Sequence, residues 1–124
     1  MISELKTGLV VKSKFARLIV NGEKIWEIRK VPPYVQGLVG VIDGDRGELL
    51  GVVEIAGFLG PFTLKELLKY ENKHHGGKFL KNYARGGVKL YAWVLKNPIK
   101  FSKPVKVRYR EGKAGISEII DILT

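Results

Sequence analysis

The stretch Leu38–Phe58, LVGVIDGDRGELLGVVEIAGF, decides how this chain folds. Two apolar runs, Leu38–Asp43 and Glu48–Phe58, flank the turn Gly44-Asp45-Arg46-Gly47. Apolar runs joined by a short turn rich in glycine and aspartate read as a β-hairpin. Gly51 and Gly57 interrupt the second arm. Glycine inside a strand gives up packing and backbone entropy, so it marks a bulge or a sharp bend of the kind a small curved sheet needs.

Upstream, Thr7–Ser13 is a largely apolar run that reads as a strand. Ser13 is placed to cap a short helix over Lys14–Val20, where Phe15, Leu18 and Ile19 form one apolar stripe. Asn21-Gly22 ends that helix in a turn. Lys24–Lys30 alternates as a further strand, stopped by Pro32-Pro33.

Downstream, Thr63-Leu64-Lys65-Glu66 has capping-box spacing and opens a helix to about Tyr70. Glu71–Gly77 reads as a polar break, and Lys78–Arg85 as one or two helical turns closed by Gly86-Gly87. Lys89–Lys96 carries strong β propensity in Tyr91, Trp93 and Val94. Asn97-Pro98 is expected to break it, leaving Ile99–Arg110 as a separate bent or edge strand. Ser117 is expected to cap a C-terminal helix or turn through Leu123. The sum is an α+β chain of about six strands with short helices inserted, arranged as a small, partly open β-barrel. A chain of 124 residues makes one domain, residues 1–124.

Composition narrows the function classes. Apolar content of 45% and charged content of 27% are those of a globular domain able to bury its own core. Cysteine is absent, which excludes disulfides and thiolate metal sites. No long apolar run suggests a signal peptide or a membrane span, so a cytoplasmic location without membrane partners is expected. The net charge is +10 and unevenly placed: Met1–Leu64 holds 8 Lys/Arg against 7 Asp/Glu, whereas Lys65–Lys113 holds 14 against 3. A contiguous basic segment attracts polyanions. Lys outnumbers Arg 16 to 6 and Gln occurs once, a bias that also fits a thermophile surface, although such surfaces pair Lys with Glu and this segment does not.

The residues Gly22-Glu23-Lys24-Ile25-Trp26-Glu27-Ile28-Arg29 spell G-x-K-x-x-E-x-R. This resembles the signature of the ASCH family, named for its homology to a transcriptional coactivator. The strand and helix before the motif, the hairpin after it, and a Tyr91-Ala92-Trp93 strand leading to Asn97-Pro98 and Pro104-Val105 are similar to that family too. The chain looks like a small, stand-alone, archaeal-type member. The resemblance implies a PUA-like β-barrel with a cleft beside the motif. It also implies RNA binding, with nuclease or nucleoside amidohydrolase activity in some members. In the amidohydrolase branch a threonine stands where this chain has Glu27. A carboxylate cannot replace that hydroxyl as nucleophile without a change of mechanism.

Alternation puts Trp26 and Ile28 on one strand face and Glu27 and Arg29 on the other. Lys24 joins Glu27 only if it still lies in the turn before the strand. Glu27 and Arg29 can then form an ion pair or line a pocket together. Lys89, Tyr91 and Trp93 share a face that combines charge with aromatic rings, the pairing that single-stranded nucleic acid uses. Lys12, Lys14, Tyr83 and Arg85 are expected to line the same cleft, which gives Lys12, Lys14, Lys24, Trp26, Glu27, Arg29, Tyr83, Arg85, Tyr91 and Trp93 as the candidate nucleic-acid contacts.

Adjacent His74 and His75 diverge and have no ligand partners at metal spacing, so no metal and no cofactor are expected. Were the protein an enzyme, a small ribonuclease or a nucleoside-modifying hydrolase, Lys24, Glu27 and His75 would be the candidate catalytic groups. The favoured partner is single-stranded or structured RNA. A module for acidic proteins is the bland alternative. Everything requires the motif strand and the basic segment to border one hollow.

Overall fold

The hairpin forms as its pattern demands. In the computed structural model, which describes residues 4–123, β3 (Gly37–Asp43) and β4 (Glu48–Phe62) pair antiparallel from Gly37↔Ile55 to Asp43↔Glu48. The turn is held by the Asp43 carboxylate, which accepts from the amides of Asp45 at 2.9 Å and Arg46 at 3.2 Å. Gly51 and Gly57 of β4 coincide with register shifts in its pairing with the next strand, between Leu49 and Gly51 and between Ile55 and Gly57. At Gly51 a Cβ would run into the backbone of Ile99, so only glycine lets the strands approach there.

Around this hairpin stand β1 (Thr7–Val11), α1 (Ser13–Val20), β2 (Trp26–Arg29), the short helices α2 (Leu64–Leu67), α3 (Glu71–His74) and α4 (Gly77–Tyr83), then β5 (Leu90–Arg110) and β6 (Ile116–Leu123). The strand order is β2-β5-β4-β3-β1-β6, and β6 pairs with β5 as well. The β1–β3 ladder is parallel and the others antiparallel. The fold is thus a mixed α+β arrangement on one six-stranded sheet whose strands β5, β4, β3, β1 and β6 form a continuous hydrogen-bonded circuit.

Four expectations are corrected. Asn97-Pro98 does not break the chain into two strands. β5 runs through it for 21 residues, because bulges absorb the misfit and Asn97 takes a positive φ of 52° while its side chain donates to Glu54 at 3.0 Å. That length lets its first part pair with β2 and its last part with β6. Ser117 caps no helix: Ile116–Leu123 is a strand, and it closes the circuit between β1 and β5. Ser13 does not cap α1. Its amide donates to the Asp45 carboxylate at 2.8 Å and its hydroxyl to Asp43 at 2.6 Å, so the hairpin turn caps the helix. Glu71–Gly77 is not all loop, since Glu71–His74 forms α3. The Thr63 capping box is as read, with Glu66 Oε1 accepting from the Thr63 amide at 2.8 Å.

The buried face of α1 is Ala16, Ile19 and Val20, on a core that includes Leu9, Val41, Val53, Ile55 and Trp93, while Phe15 and Leu18 of the expected stripe are only partly buried. On the other side of β2 and β5, Trp26, Ile28, Leu90 and Ala92 pack under the helical insert with Leu67, Leu80 and Ala84. The start of β5 is therefore covered on both faces. Among the described residues, no helix is long and apolar enough to cross a membrane.

Candidate functional site

Lys24 lies between the Gly22 turn and the first residue of β2, and its amide donates to Leu18 O at 3.0 Å. That placement resolves the alternation problem, because Lys24 is not yet bound to the strand's pleat. Its side chain reaches Glu27, with Nζ 3.2 Å from Oε1, while Arg29 meets the other carboxylate oxygen. Lys24 is 3% exposed and Glu27 4%, so this ion network is taken out of water and needs every partner.

Further donors of the two cations are engaged as well. Lys24 also donates to the carbonyl of His74 and stands 4.9 Å from the Phe15 ring centre. Arg29 Nε donates to Ala114 O at 2.8 Å, Nη1 to Ile28 O at 3.3 Å and Nη2 to Val10 O at 3.4 Å. Ala114 reaches Arg29 because the loop before β6 takes positive φ at Ala114 and Gly115.

Burial pushes the Glu27 carboxyl up, but Arg29 and Lys24 together outweigh it and hold the group below its ordinary value of 4.5. For Lys24 the balance is reversed. Burial outweighs the attraction of Glu27, and Arg29 adds repulsion, so its amine sits below the ordinary 10.5. The carboxylate has two cations beside it to offset its burial, whereas the amine meets the attraction of Glu27 and Glu71 reduced by the repulsion of Arg29.

The motif is also stitched to the helical insert. Ile25 N–H donates to Lys73 O at 2.9 Å, and His75 Nε2 meets Glu23 O at 3.0 Å. His74, wholly buried, accepts from the Gly76 amide on Nδ1 at 2.9 Å. Its proton is therefore on Nε2, which donates to Leu67 O at 2.7 Å. Burial lowers its pKa from 6.5, so His74 is a neutral strut.

The network forms the floor of a cavity of about 630 Å³, within the range of small-ligand sites. Val10, Phe15, Phe79 and Leu80 supply apolar wall, and Lys12, Lys30, Asp45, Asn82 and Tyr83 are among the other lining residues. Lys30 Nζ lies 4.9 Å from the Tyr83 ring centre. The cavity thus joins Arg29 of β2 to α4, which belongs to the basic segment, and the exposed Lys78 and Lys81 lie on that helix.

The rest of the basic segment stands elsewhere. Arg108 pairs with Asp121, Arg110 with Glu118 at 2.9 Å, and Lys106 with Glu48 at 3.8 Å. Arg85 is exposed and Lys14 lies 5.9 Å from the Phe15 ring centre; neither lines the cavity.

The aromatic reading of β2 and β5 is corrected. Trp93 is 0% exposed, with its indole N–H donating to Val31 O at 2.8 Å, so it has no face to offer a base. Trp26 is stacked on Phe62 at 5.9 Å and tilted against Tyr70 at 5.1 Å, beneath the insert. Tyr91 packs edge-on against Phe58 at 5.9 Å and does not line the cavity. His75 does not line it either. The cavity's aromatic groups are Tyr83, which was among the candidates, and Phe15 and Phe79. Phe79 and Asn82 were not among the candidates, and the signal that could have found them is helical spacing, which sets them with Tyr83 at i, i+3 and i+4 on α4. Among the described residues, no three His, Asp or Glu side chains are gathered to hold a metal ion.

The ASCH domain profile matches residues 9–105, and the chain belongs to that family. Its structure is similar to that of ASCH from Zymomonas mobilis, with a TM-score of 0.70 at 16% identity over 81% of this chain and 72% of that one. Two single-substitution variants of the same Zymomonas mobilis protein superpose with TM-scores of 0.67 and 0.68 at 17% identity, over 81% of this chain and 72% and 74% of theirs. Comparison with curated proteins gives no match. The family is generally thought to bind RNA.

Proposed function

We propose that this chain is an RNA-binding module of PUA-like barrel type, and that the cavity over Lys24, Glu27 and Arg29 holds one nucleotide of its ligand. The closed circuit of five strands supports the barrel description. The observation that carries the functional reading is the cavity itself. It has an apolar wall for a ring, a floor carrying two cations and one anion, and Lys12 and Lys30 at its mouth for phosphate. The exposed lysines of α4 extend the positive field beside it.

The catalytic alternative draws less support. Lys24 and Glu27 are each engaged by structural partners, and His75 does not line the cavity and bonds Glu23 O. Filter binding of single- and double-stranded RNA and DNA across a salt series tests the reading. RNA retention that falls steeply with salt is expected. No retention of RNA at low salt refutes it, and turnover of labelled RNA abolished by Lys24→Ala would replace it with the enzymatic one.

A further inference from the structure

The floor of the cavity has an order. Lys24 approaches one oxygen of Glu27 and Arg29 the other, so the carboxylate stands between two cations. Ammonium and guanidinium only donate hydrogen bonds, and an ionised carboxylate only accepts them. Read across, the floor is donor, acceptor, donor.

Each group keeps capacity. The Lys24 ammonium has an N–H beyond those given to His74 O and Glu27. Arg29 Nη2 has an N–H beyond the one directed at Val10 O. The Glu27 carboxylate is engaged by Lys24, Arg29 and the Ile28 amide, which leaves it a lone pair.

Resting on the reading of this cavity as a nucleotide site, we propose that it selects a base with an imide edge, acceptor–donor–acceptor. Among the RNA bases that edge belongs to uracil. Its N3–H would donate to Glu27 while O2 and O4 accept from Arg29 and Lys24. Cytosine and adenine turn a ring-nitrogen lone pair toward the carboxylate. Guanine satisfies Glu27 but sets its amino group against a cation. A buried polar site of this kind rejects a mismatched edge strongly, because its own groups are left unpaired. Phe15 and Phe79, in edge contact at 5.7 Å, supply apolar surface for the ring beside the floor. Thymine shares the imide edge, so DNA is the other source of the same chemistry.

The test measures binding of uridine, cytidine, adenosine and guanosine monophosphates, of 3-methyluridine monophosphate, and of oligo-U, oligo-C, oligo-A and oligo-dT to the intact protein by calorimetry and filter binding. The uridine ligands should bind at least about tenfold tighter than the cytidine ones, and methylation of N3 should remove that advantage. Glu27→Gln, with its folding checked by thermal melting, should reduce the uracil-to-cytosine ratio. Oligo-dT binding as tightly as oligo-U upholds the imide edge and assigns DNA as a source. Equal binding of all oligonucleotides, or indifference to N3 methylation, overturns the base assignment and leaves the RNA-binding reading standing. Failure of every ligand to bind overturns both.

Discussion

The Lys24 ammonium stands 3.2 Å from the Glu27 carboxylate, in a position from which it also reaches the carbonyl of His74. One side chain therefore joins the motif, the edge strand β2 and the helical insert. Its location just before β2 is what makes this possible, since inside the strand its side chain would lie on the Trp26 face.

Removing that amine should be costly. Lys24→Met leaves Glu27 buried with Arg29 alone and strips the His74 carbonyl of a donor, and breaking a buried pair in this way costs about 3–5 kcal/mol. Urea unfolding should show that loss. Adding Glu27→Gln should recover part of it, because a neutral amide no longer requires the second cation; a strictly additive double variant would show that the pair is not coupled.

Acid should weaken the fold in two stages. His74 is held below its ordinary value of 6.5, first by burial, against the opposing bond to Leu67 O and the charge of Glu71. The unfolded chain thus takes up a proton that the folded one refuses, so stability present above pH 6.5 falls as the pH drops below it. Glu27, also depressed, from 4.5, despite its burial and because of Arg29 and Lys24, adds a second loss below that pH. The urea midpoint should fall between pH 7 and 5.5 in the wild type, with the fall flattened in His74→Gln and the lower stage retained. An unchanged profile in His74→Gln would exclude this role.

The elements the sequence disclosed are those whose signals are local. The Leu38–Phe58 hairpin, the glycine bulges of β4 and the Thr63 capping box each arise from residues a few positions apart. What stayed hidden depends on distant partners. Asn97-Pro98 looks like a stop until its bulged pairing with β4 is known, and Ser117 looks like a cap until β1 and β5 are seen on either side of Ile116–Leu123. The site divides in the same way. Lys24, Glu27 and Arg29 were legible as a motif, but the Ala114 carbonyl that fixes Arg29 and the α4 wall come from elsewhere in the chain. Tyr91 and Trp93 misled because alternation assumes one wet face, whereas this part of β5 is packed on both.

Gly115 controls Arg29 by leaving room for it. A Cβ there would lie 2.6 Å from Nη2 and 3.2 Å from Cζ, on a backbone with φ of +79°. Gly115→Ala should cost about 1–2 kcal/mol in backbone strain alone, and should displace the guanidinium. Thermal melting reads the first effect. The second should appear as weaker nucleotide binding by the folded variant, and retained affinity would place Arg29 outside the ligand contacts.

Trp93 should behave as core. Trp93→Phe removes the indole donor from Val31 O and part of a wholly buried ring, at a cost of about 1–3 kcal/mol. RNA affinity of the folded variant should stay within about twofold of wild type, because a retained apolar ring keeps the cavity floor in place without ever touching a base. A large affinity loss at unchanged stability would restore Trp93 as a stacking residue.

The two halves of the positive charge should separate in a salt titration. Lys12 and Lys30 line the cavity, whereas Arg108 and Arg110 already face Asp121 and Glu118 across the β5–β6 ladder. A cation that neutralises a phosphate releases counterions, so each such contact removed lowers the slope of log affinity against log salt by about one. Lys30→Ala should show that decrement. Lys12→Ala should show less of it, because the charge of Lys12 also acts on Asp45, whose carboxylate opposes a phosphate on that side of the mouth. Arg108→Ala with Arg110→Ala should leave the slope unchanged, since those guanidiniums give their charge to carboxylates of the same protein. If the paired arginines carry the salt dependence and the rim lysines do not, the nucleic acid lies along the β5–β6 ladder and the cavity is not where it binds.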